Sequence, residues 1–175
     1  MKLIRRMLTG DKLALARLIS LVENGDDNLH NIMTEIHSHT GGAYRIGITG
    51  PPGSGKSTIV DRLISIYRGK GLRVGVVAVD PSSPFSGGAV LGDRIRMQQH
   101  SIDEGVFIRS LSTRGSKGGL ARCAENVVEL LDASGKDYVI IESVGVGQTE
   151  LDIRRVADTT VVVLVPESGD SVQAM

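Results

Sequence analysis

Apolar residues near the start of the chain recur at the spacing of one helix face. Two sets of four fall at i, i+3, i+4 and i+7, which predicts two amphipathic helices. The sets are Leu15, Leu18, Ile19 and Val22, and then Leu29, Ile32, Met33 and Ile36. Asp11 can cap the first helix, and Gly41-Gly42 can stop the second. The pattern predicts a helical segment over residues 1–42 that packs on the domain after it.

From residue 43 onward, strand-like and helix-like runs alternate. The predicted strands are 44–49, 72–79, 106–110, 138–141 and 159–165, and the predicted helices between them are 56–68, 93–100, 117–133 and 150–156. Several strands are near-continuous apolar runs, which is typical of parallel strands covered by helices on both faces. We therefore predict an α/β fold, with a doubly wound, mostly parallel sheet and flanking helices, in a domain over residues 43–175.

The stretch after the first predicted strand carries specific chemistry. Gly50-Pro51-Pro52-Gly53-Ser54-Gly55-Lys56-Ser57, followed by Thr58, fits the phosphate-loop pattern G-x-x-x-x-G-K-[ST]. In such a loop the backbone N–H groups surround phosphate oxygens, and the helix N-terminus adds partial positive charge. Lys56 is expected to reach the β- and γ-phosphates, and the Ser57 hydroxyl to ligate Mg²⁺. The predicted nucleoside-triphosphate site comprises Gly50, Gly53, Ser54, Gly55, Lys56, Ser57 and Thr58.

Three acidic residues lie beyond strands or loops that lead towards the phosphate loop. Asp80 directly follows the second strand, Asp93 ends a glycine-rich loop, and Glu142 follows strand 138–141. Mg²⁺ keeps several waters and takes few carboxylates, so each acid can hold the ion or its waters. A turn or capping role stays open for Asp80, and a helix N-cap role for Asp93. We predict a magnesium site formed by Ser57, Asp80, Asp93 and Glu142.

The stretch after Glu142 is typical of a second phosphate-sensing motif. Gly145 lies three residues beyond the acid, so its N–H can contact the γ-phosphate, and loss of that contact after hydrolysis releases the loop. Gln148 can orient the attacking water. The predicted catalytic residues are therefore Lys56, Asp80, Asp93, Glu142 and Gln148. Candidates for an internal arginine finger are Arg94, Arg109 and Arg114.

Composition and charge narrow the class of protein. The chain has 175 residues, a formal net charge of zero and 3% aromatic residues without Trp. Such a chain offers neither a positive field nor a stacking platform for nucleic acid. One cysteine fits a reducing compartment, and the sequence supports neither a membrane span nor a secretory signal. We expect a cytoplasmic protein that binds neither nucleic acid nor membrane.

Four stretches of the sequence also match a known family. They are residues 50–58, the run Val79-Asp80-Pro81-Ser82-Ser83-Pro84 extended to residue 88, residues 91–94, and residues 142–150. Together they resemble the MeaB/ArgK family of SIMIBI-class P-loop GTPases. The resemblance implies GTP hydrolysis with Mg²⁺ and a chaperone or gatekeeper role for an adenosylcobalamin-dependent acyl-CoA mutase of the methylmalonyl-CoA mutase type. It also implies a homodimer in the full-length protein and an additional switch beginning at residues 166–173.

Part of the family pattern falls outside this chain. The guanine-reading motif, asparagine-lysine-x-aspartate, and the dimerising region are both expected beyond Met175. We therefore expect the chain to be part of a longer protein, and its guanine specificity rests on the resemblance. Two alternatives stay open. One is a P-loop small-molecule kinase or ATPase, which the phosphate loop suits equally well. The other is a metal-insertion GTPase, although four scattered histidines and one cysteine supply no metal-binding tract.

Overall fold

The computed structural model describes residues 2–80, 100, 102–112, 119–143 and 149–165. Within these ranges the helices are α1 (Lys2–Leu8), α2 (Lys12–Asn24), α3 (Leu29–His37), α4 (Lys56–Gly69), α5 (Gly119–Ala133) and α6 (Thr149–Val156). The strands are β1 (Tyr44–Thr49), β2 (Val74–Asp80), β3 (Val106–Ser112), β4 (Tyr138–Glu142) and β5 (Thr159–Val162). Every predicted strand is therefore present.

The five strands form one parallel sheet in the order β3-β2-β4-β1-β5. The chain first moves from β1 to β2 and β3 on one side, and then returns to place β4 between β2 and β1. The predicted α/β fold with a doubly wound parallel sheet is confirmed. Because all strands point the same way, the sheet has one edge where strands begin and one where they end. We refer to these as the amino edge and the carboxyl edge.

Five strand boundaries differ from the prediction. Three strands continue one or two residues further than predicted, to Asp80 in β2, Ser112 in β3 and Glu142 in β4. β2 begins at Val74 rather than residue 72, since the adjacent strands also begin there, opposite Val74, at Tyr138 and Val106. β5 ends at Val162 rather than residue 165, because Val162 pairs with Thr49, the last residue of β1. Beyond Thr49, β1 gives way to the phosphate loop. The pairing partner, rather than the apolar run itself, therefore sets where each strand ends.

Alternate residues of the buried strands face two separate apolar cores. One core combines Val77, Val79, Val139 and Ile141 with apolar residues of α1, α2, α3, α5 and α6. The other combines Ile46, Ile48, Val74, Val76 and Ile140 with residues of α4 such as Val60 and Ile64. Burial on both faces explains why β2 and β4 read as unbroken apolar runs.

The N-terminal segment has three helices, where the sequence predicted two. The additional helix, α1, buries Ile4 and Met7, while its charged residues stay towards solvent. The predicted cap of α2 is confirmed, because Asp11 Oδ1 accepts hydrogen bonds from the N–H groups of Leu13 and Ala14 at 2.9 and 3.0 Å. These backbone bonds, together with Arg6, lower the pKa of the Asp11 carboxyl.

The second predicted helix is α3, and its predicted stop at Gly41-Gly42 is wrong, because α3 ends at His37. The two glycines instead bind a buried carboxylate near the end of α5. Asp132, whose side chain is 1% exposed, accepts hydrogen bonds from the N–H groups of Gly41, Gly42 and Ala43 at 2.8 to 3.0 Å. Arg45 donates to the same carboxylate at 3.0 Å. Asp132 thereby fixes the connection between the N-terminal helices and β1.

Some predictions fall outside the described residues. The predicted helix 93–100 does so apart from its last residue, His100. The domain boundary between residues 42 and 43 stays a prediction, although α1, α2 and α3 share a core with α5 and α6. In the part of the chain that the structure covers, no helix is both long and apolar enough to cross a membrane.

Replacing Asp132 tests its hold on this connection. Asp132→Ala removes a buried carboxylate that accepts from three backbone N–H groups and Arg45, so we expect the free energy of unfolding to fall by ~3–5 kcal/mol. Asp132→Asn keeps one acceptor oxygen and is expected to cost less. Asp26→Ala removes an exposed side chain-to-backbone hydrogen bond and serves as the control, with an expected loss below about 1 kcal/mol. Urea unfolding measures all three, and equal losses for Asp132→Ala and Asp26→Ala would contradict the assignment.

Candidate functional site

The candidate site lies at the carboxyl edge, where β1 and β4 are neighbours. β1 leads into the phosphate loop, and β4 ends at Glu142, which pairs in register with Ile48. The N–H of Ser143 then donates to the Ile48 carbonyl at 2.9 Å, so the two chain segments remain joined beyond the strands. Ligand sites of open α/β sheets form at such positions, where the strand order reverses.

The central contact of the site joins Ser57 and Glu142. The Ser57 hydroxyl lies in the first turn of α4 and donates to Glu142 Oε1 at 2.7 Å. Ser57 is 9% exposed and Glu142 4% exposed, so a hydroxyl and a carboxylate meet in a buried position. Both groups are oxygen ligands of the kind that Mg²⁺ prefers. The two residues predicted from separate motifs to share a metal ion therefore do lie together.

The predicted phosphate-binding lysine is held at the loop. Lys56 is 7% exposed, and its ammonium donates to the carbonyl oxygens of Gly50 and Pro51 at 2.9 Å each. Burying a cation in this way requires nearby acceptors, and the loop itself supplies these two. The contacts keep the charge beside the loop that the sequence assigned to phosphate.

Gly50 is required by the close passage of another segment. Its φ is 141°, and a Cβ at this position would overlap the backbone carbonyl of Val163. The N–H of Val163 donates to the Thr49 carbonyl at 2.8 Å, which fixes the chain after β5 against the start of the loop. The first glycine of the motif therefore serves the packing of β5 as well as the loop.

Within the loop, the Ser54 hydroxyl is buried and has no hydrogen-bond partner among the described residues. Buried hydroxyl groups in folded proteins are nearly always paired. A phosphate oxygen is an acceptor that would satisfy such a hydroxyl. This observation fits the prediction that the loop surrounds a phosphate group.

Two further polar residues of the site were missed by the sequence analysis. The Ser143 hydroxyl donates to Thr49 Oγ1 at 2.9 Å, and both residues are buried. They lie directly beside the two motifs, at the ends of β4 and β1. Hydroxyl residues adjoining a motif at a buried strand end would have been the signal. In the described ranges the buried polar residues are Thr49, Lys56, Ser57, Asp132, Lys136, Glu142 and Ser143, and all except Asp132 and Lys136 lie at this site.

The remaining predicted site residues are placed only in part. The backbone of Asp80 ends β2, the other neighbour of β4, and Ala78 pairs with Glu142. Asp80 thus lies at the same edge, although its side chain is outside what the structure describes. Asp93, Gly145 and Gln148 also lie outside the described residues, as do loop 81–93 and segment 166–173. Thr58 is exposed on the first turn of α4. Among described side chains, no three His, Cys, Asp or Glu residues form a metal-binding group.

Arg109 does not act at this site in the structure. Its guanidinium donates to the Ser20 hydroxyl at 3.2 Å and forms an ion pair with Glu23. Both partners belong to α2, so the interpretation of Arg109 as an arginine finger is wrong for this arrangement. The other two candidates, Arg94 and Arg114, lie outside the described residues.

The chain matches the family model described as methylmalonyl Co-A mutase-associated GTPase MeaB over residues 15–175. A protein of Pyrococcus abyssi with a provisional assignment as a GTPase is 58% identical over 99% of this chain and 54% of its own length. GTPase ArgK of Escherichia coli is 38% identical over 98% of this chain and 53% of its own length. The mouse protein named methylmalonic aciduria type A homolog, mitochondrial, is 41% identical over 75% of this chain and 32% of its own length.

Solved structures show the same fold. The crystal structure of an LAO/AO transport system kinase has a TM-score of 0.70 and 31% identity, and the match covers 93% of this chain and 48% of that one. HypB from Helicobacter pylori in complex with nickel has a TM-score of 0.52 and 20% identity, covers 86% of this chain and 65% of that one, and shows the fold alone. The chain spans about half the length of the first two relatives above.

The fit between Gly50 and Val163 can be tested by adding one methyl group. Gly50→Ala places a Cβ against a backbone carbonyl that cannot rotate away, so we expect the free energy of unfolding to fall by ~2–4 kcal/mol. Gly69→Ala is the matched control, because nothing lies within 4 Å of its Cβ position near the end of α4. We expect that variant to stay within about 1 kcal/mol of the parent. Indistinguishable urea midpoints for the two variants would show that β5 does not constrain the loop.

Proposed function

The chain belongs to the family of methylmalonyl Co-A mutase-associated GTPases, and on that premise we propose that its phosphate loop binds GTP with Mg²⁺ and supports its hydrolysis. The observation that carries this proposal is the buried 2.7 Å hydrogen bond from Ser57 to Glu142 Oε1. It brings a phosphate-loop hydroxyl and a strand-end carboxylate into contact. A phosphate loop that served only as a glycine turn would have no need of a buried acid beside it.

The roles of the loop residues follow from their placement. In this proposal, Gly50, Gly53, Ser54 and Gly55 line the phosphates, while Lys56 carries the positive charge to them. Lys56 is already held beside the loop by two backbone carbonyls at 2.9 Å. A triphosphate offers charged oxygens in place of neutral carbonyls, and charge-assisted hydrogen bonds are the stronger kind. When the nucleotide binds, the Lys56 ammonium would therefore exchange its two carbonyl acceptors for phosphate oxygens.

The donor set also fits a magnesium ion. Ser57 and Glu142 would hold it, directly or through water, and we assign supporting roles to Asp80 and Asp93 at the same ion or its waters. When bound, Mg²⁺ would neutralise charge on the phosphates. Ser143 and Thr49 have a structural part in this scheme, because their mutual hydrogen bond fixes the two strand ends that carry the ligands.

For hydrolysis we assign the γ-phosphate contact to the Gly145 N–H and the orientation of water to Gln148. The Arg109 guanidinium is bonded to Ser20 and Glu23 of α2, so we assign it no role in hydrolysis. We therefore expect slow hydrolysis by the protein alone, with acceleration by a partner or a second subunit. Guanine selectivity is part of the proposal and is supported by the family assignment.

We further propose that the nucleotide state is communicated to an adenosylcobalamin-dependent mutase of the methylmalonyl-CoA mutase type, which this protein serves as chaperone or gatekeeper. The description of the matching family, which names that mutase, supports this partner. Loop 81–93, the stretch after Glu142 and segment 166–173 would form the responsive surface, because they follow or adjoin the strand ends at the site. The full-length protein is expected to be a homodimer in the cytoplasm.

Glu142→Gln tests the acid at the end of β4. The amide keeps an acceptor for Ser57 but removes the negative charge, so we expect Mg²⁺-dependent GTP turnover to fall on the order of 10²-fold, with GDP binding largely kept. Glu125→Gln, on an exposed position of α5, is the matched control and should retain parent turnover. Phosphate release at saturating GTP measures both. Unchanged turnover in Glu142→Gln would remove Glu142 from the magnesium site.

Lys56→Ala tests nucleotide binding and binding of the mutase as two separate parts of the proposal. We expect GTP affinity to fall on the order of 10²-fold in calorimetry, because the charged contact to the phosphates is lost. Parent protein should retain methylmalonyl-CoA mutase differently in a pull-down with a non-hydrolysable GTP analogue than with GDP, and Lys56→Ala should lose that difference. Lys70→Ala, which removes an exposed lysine after α4, should keep it. Equal mutase retention in every nucleotide state would contradict the chaperone role while leaving GTP binding intact.

A further inference from the structure

A second group of charged residues lies at the amino edge, at the opposite end of the strands from the nucleotide site. Lys136, in the connection between α5 and β4, is 8% exposed. Its ammonium makes no hydrogen bond or ion pair with any described residue. The side-chain nitrogen of Lys136 is nevertheless in contact with solvent. A cation this deeply buried normally has a paired acceptor.

Three more cations lie at the same edge, each from a different part of the fold. Lys12 begins α2, Arg68 lies near the end of α4, and Arg73 directly precedes β2. Arg68 Nη1 donates to the Leu72 carbonyl at 2.7 Å, next to Arg73, and Lys12 binds the loop at Asp103 that Arg68 also binds. Arg73 is exposed and makes no side-chain hydrogen bond or ion pair with the described residues, and its guanidinium lies 3.4 Å from the position that a Cβ would take at Gly135.

Carboxylates offset only part of this charge. Asp103 accepts from Arg68 Nε at 2.9 Å, and its backbone carbonyl accepts from Lys12 Nζ at 2.8 Å. The carboxylate of Asp137 accepts from the Arg73 backbone N–H at 2.6 Å rather than from a side chain. Glu104 adjoins Asp103 but is exposed and pairs with none of the four cations. Among the described residues, four cationic side chains thus face two carboxylates, which leaves an excess of two positive charges.

The Lys136 amine already responds to this excess charge. Burial lowers its pKa most, and Lys12, Arg73 and Arg68 lower it further against the opposing effect of Asp137, to about 8. The amine therefore begins to lose its proton near neutral pH. A bound anion would favour the charged amine, because an opposite charge at this distance offsets both burial and the neighbouring cations.

We propose that Lys136, Arg73 and Lys12 form a binding site for a dianionic phosphoryl group at the amino edge of the sheet. A dianion matches the two uncompensated charges, and its several oxygens suit donors that approach from three separate segments. A carboxylate carries one charge and two oxygens and would leave part of the excess. The site shares no residue with the phosphate loop and does not depend on the proposed GTPase function.

Sulfate is a suitable probe because it is a dianion that does not titrate between pH 6 and 9. The titration is done on the Lys56→Ala chain, so that the phosphate loop does not contribute, and followed by the backbone amide resonances of Gly135 and Lys136. We expect saturable shifts whose affinity falls at least several-fold from pH 6.5 to pH 9, as Lys136 loses its proton through about 8. Inorganic phosphate and a phosphorylated sugar, compared at pH 7, then distinguish a free ion from a phosphorylated metabolite.

Substitutions assign the shifts to the site. Lys136→Met keeps the buried stem and should weaken sulfate at least ~10-fold and abolish the pH dependence. Arg73→Gln changes only an exposed side chain and should weaken sulfate as well, so the test survives if Lys136→Met unfolds. Lys70→Gln should change nothing. The proposal is overturned if chloride at equal ionic strength reproduces the shifts, if acetate binds as tightly as sulfate, or if neither Lys136→Met nor Arg73→Gln weakens binding.

Discussion

The hydrogen bond between Ser57 and Glu142 joins residues 85 positions apart and depends on one topological fact, the insertion of β4 beside β1. Had β4 joined the sheet at either outer edge, the acid would lie at least one strand, about 4.8 Å, further from the phosphate loop. The same adjacency brings Ser143 to Thr49 and to Ile48. The order of the strands therefore brings Glu142 to the phosphate loop, which no local motif could do. The loop on its own supplies only Ser57, one of the two residues in contact.

The features that could be predicted from the sequence are those set by neighbouring residues or by a regular spacing of apolar residues. The sheet strands follow from apolar runs, the α2 cap from Asp11, and the phosphate loop from its glycines. The unpredicted part comes from partners far apart in the sequence. Asp132 lies on α5 outside any recognisable motif. Its structural role follows only from the hydrogen bonds that it accepts from Gly41 and Gly42, some 90 residues earlier. Likewise Thr49 and Ser143 become a pair only once β1 and β4 are neighbours.

In the described part of the chain, the buried polar side chains lie at the two edges of the sheet. β4 illustrates the reason, because its middle residues Val139, Ile140 and Ile141 are fully enclosed by the two cores. A charge in that position would have no acceptor within reach, whereas the strand ends meet loops and helix termini that supply backbone partners. The buried charged residues of this segment therefore lie at its two ends, with Lys136 just before β4 and Glu142 as its last residue. The sheet separates the two sites by the length of a strand.

The N-terminal helices explain how the amino edge and one sheet face are held. Lys12 bonds to the loop before β3, Glu23 pairs with Arg109 of β3, and Asp132 binds the connection that leads into β1. Three polar contacts therefore anchor a segment that also buries Leu18 and Ile32 against the core shared with α5. An amphipathic face of this kind must be covered, since a doubly wound sheet is stable only when helices pack on both sides. The helical segment packs on α5, which itself contacts β2 and β4, and so adds a further layer behind one of the two that cover the sheet.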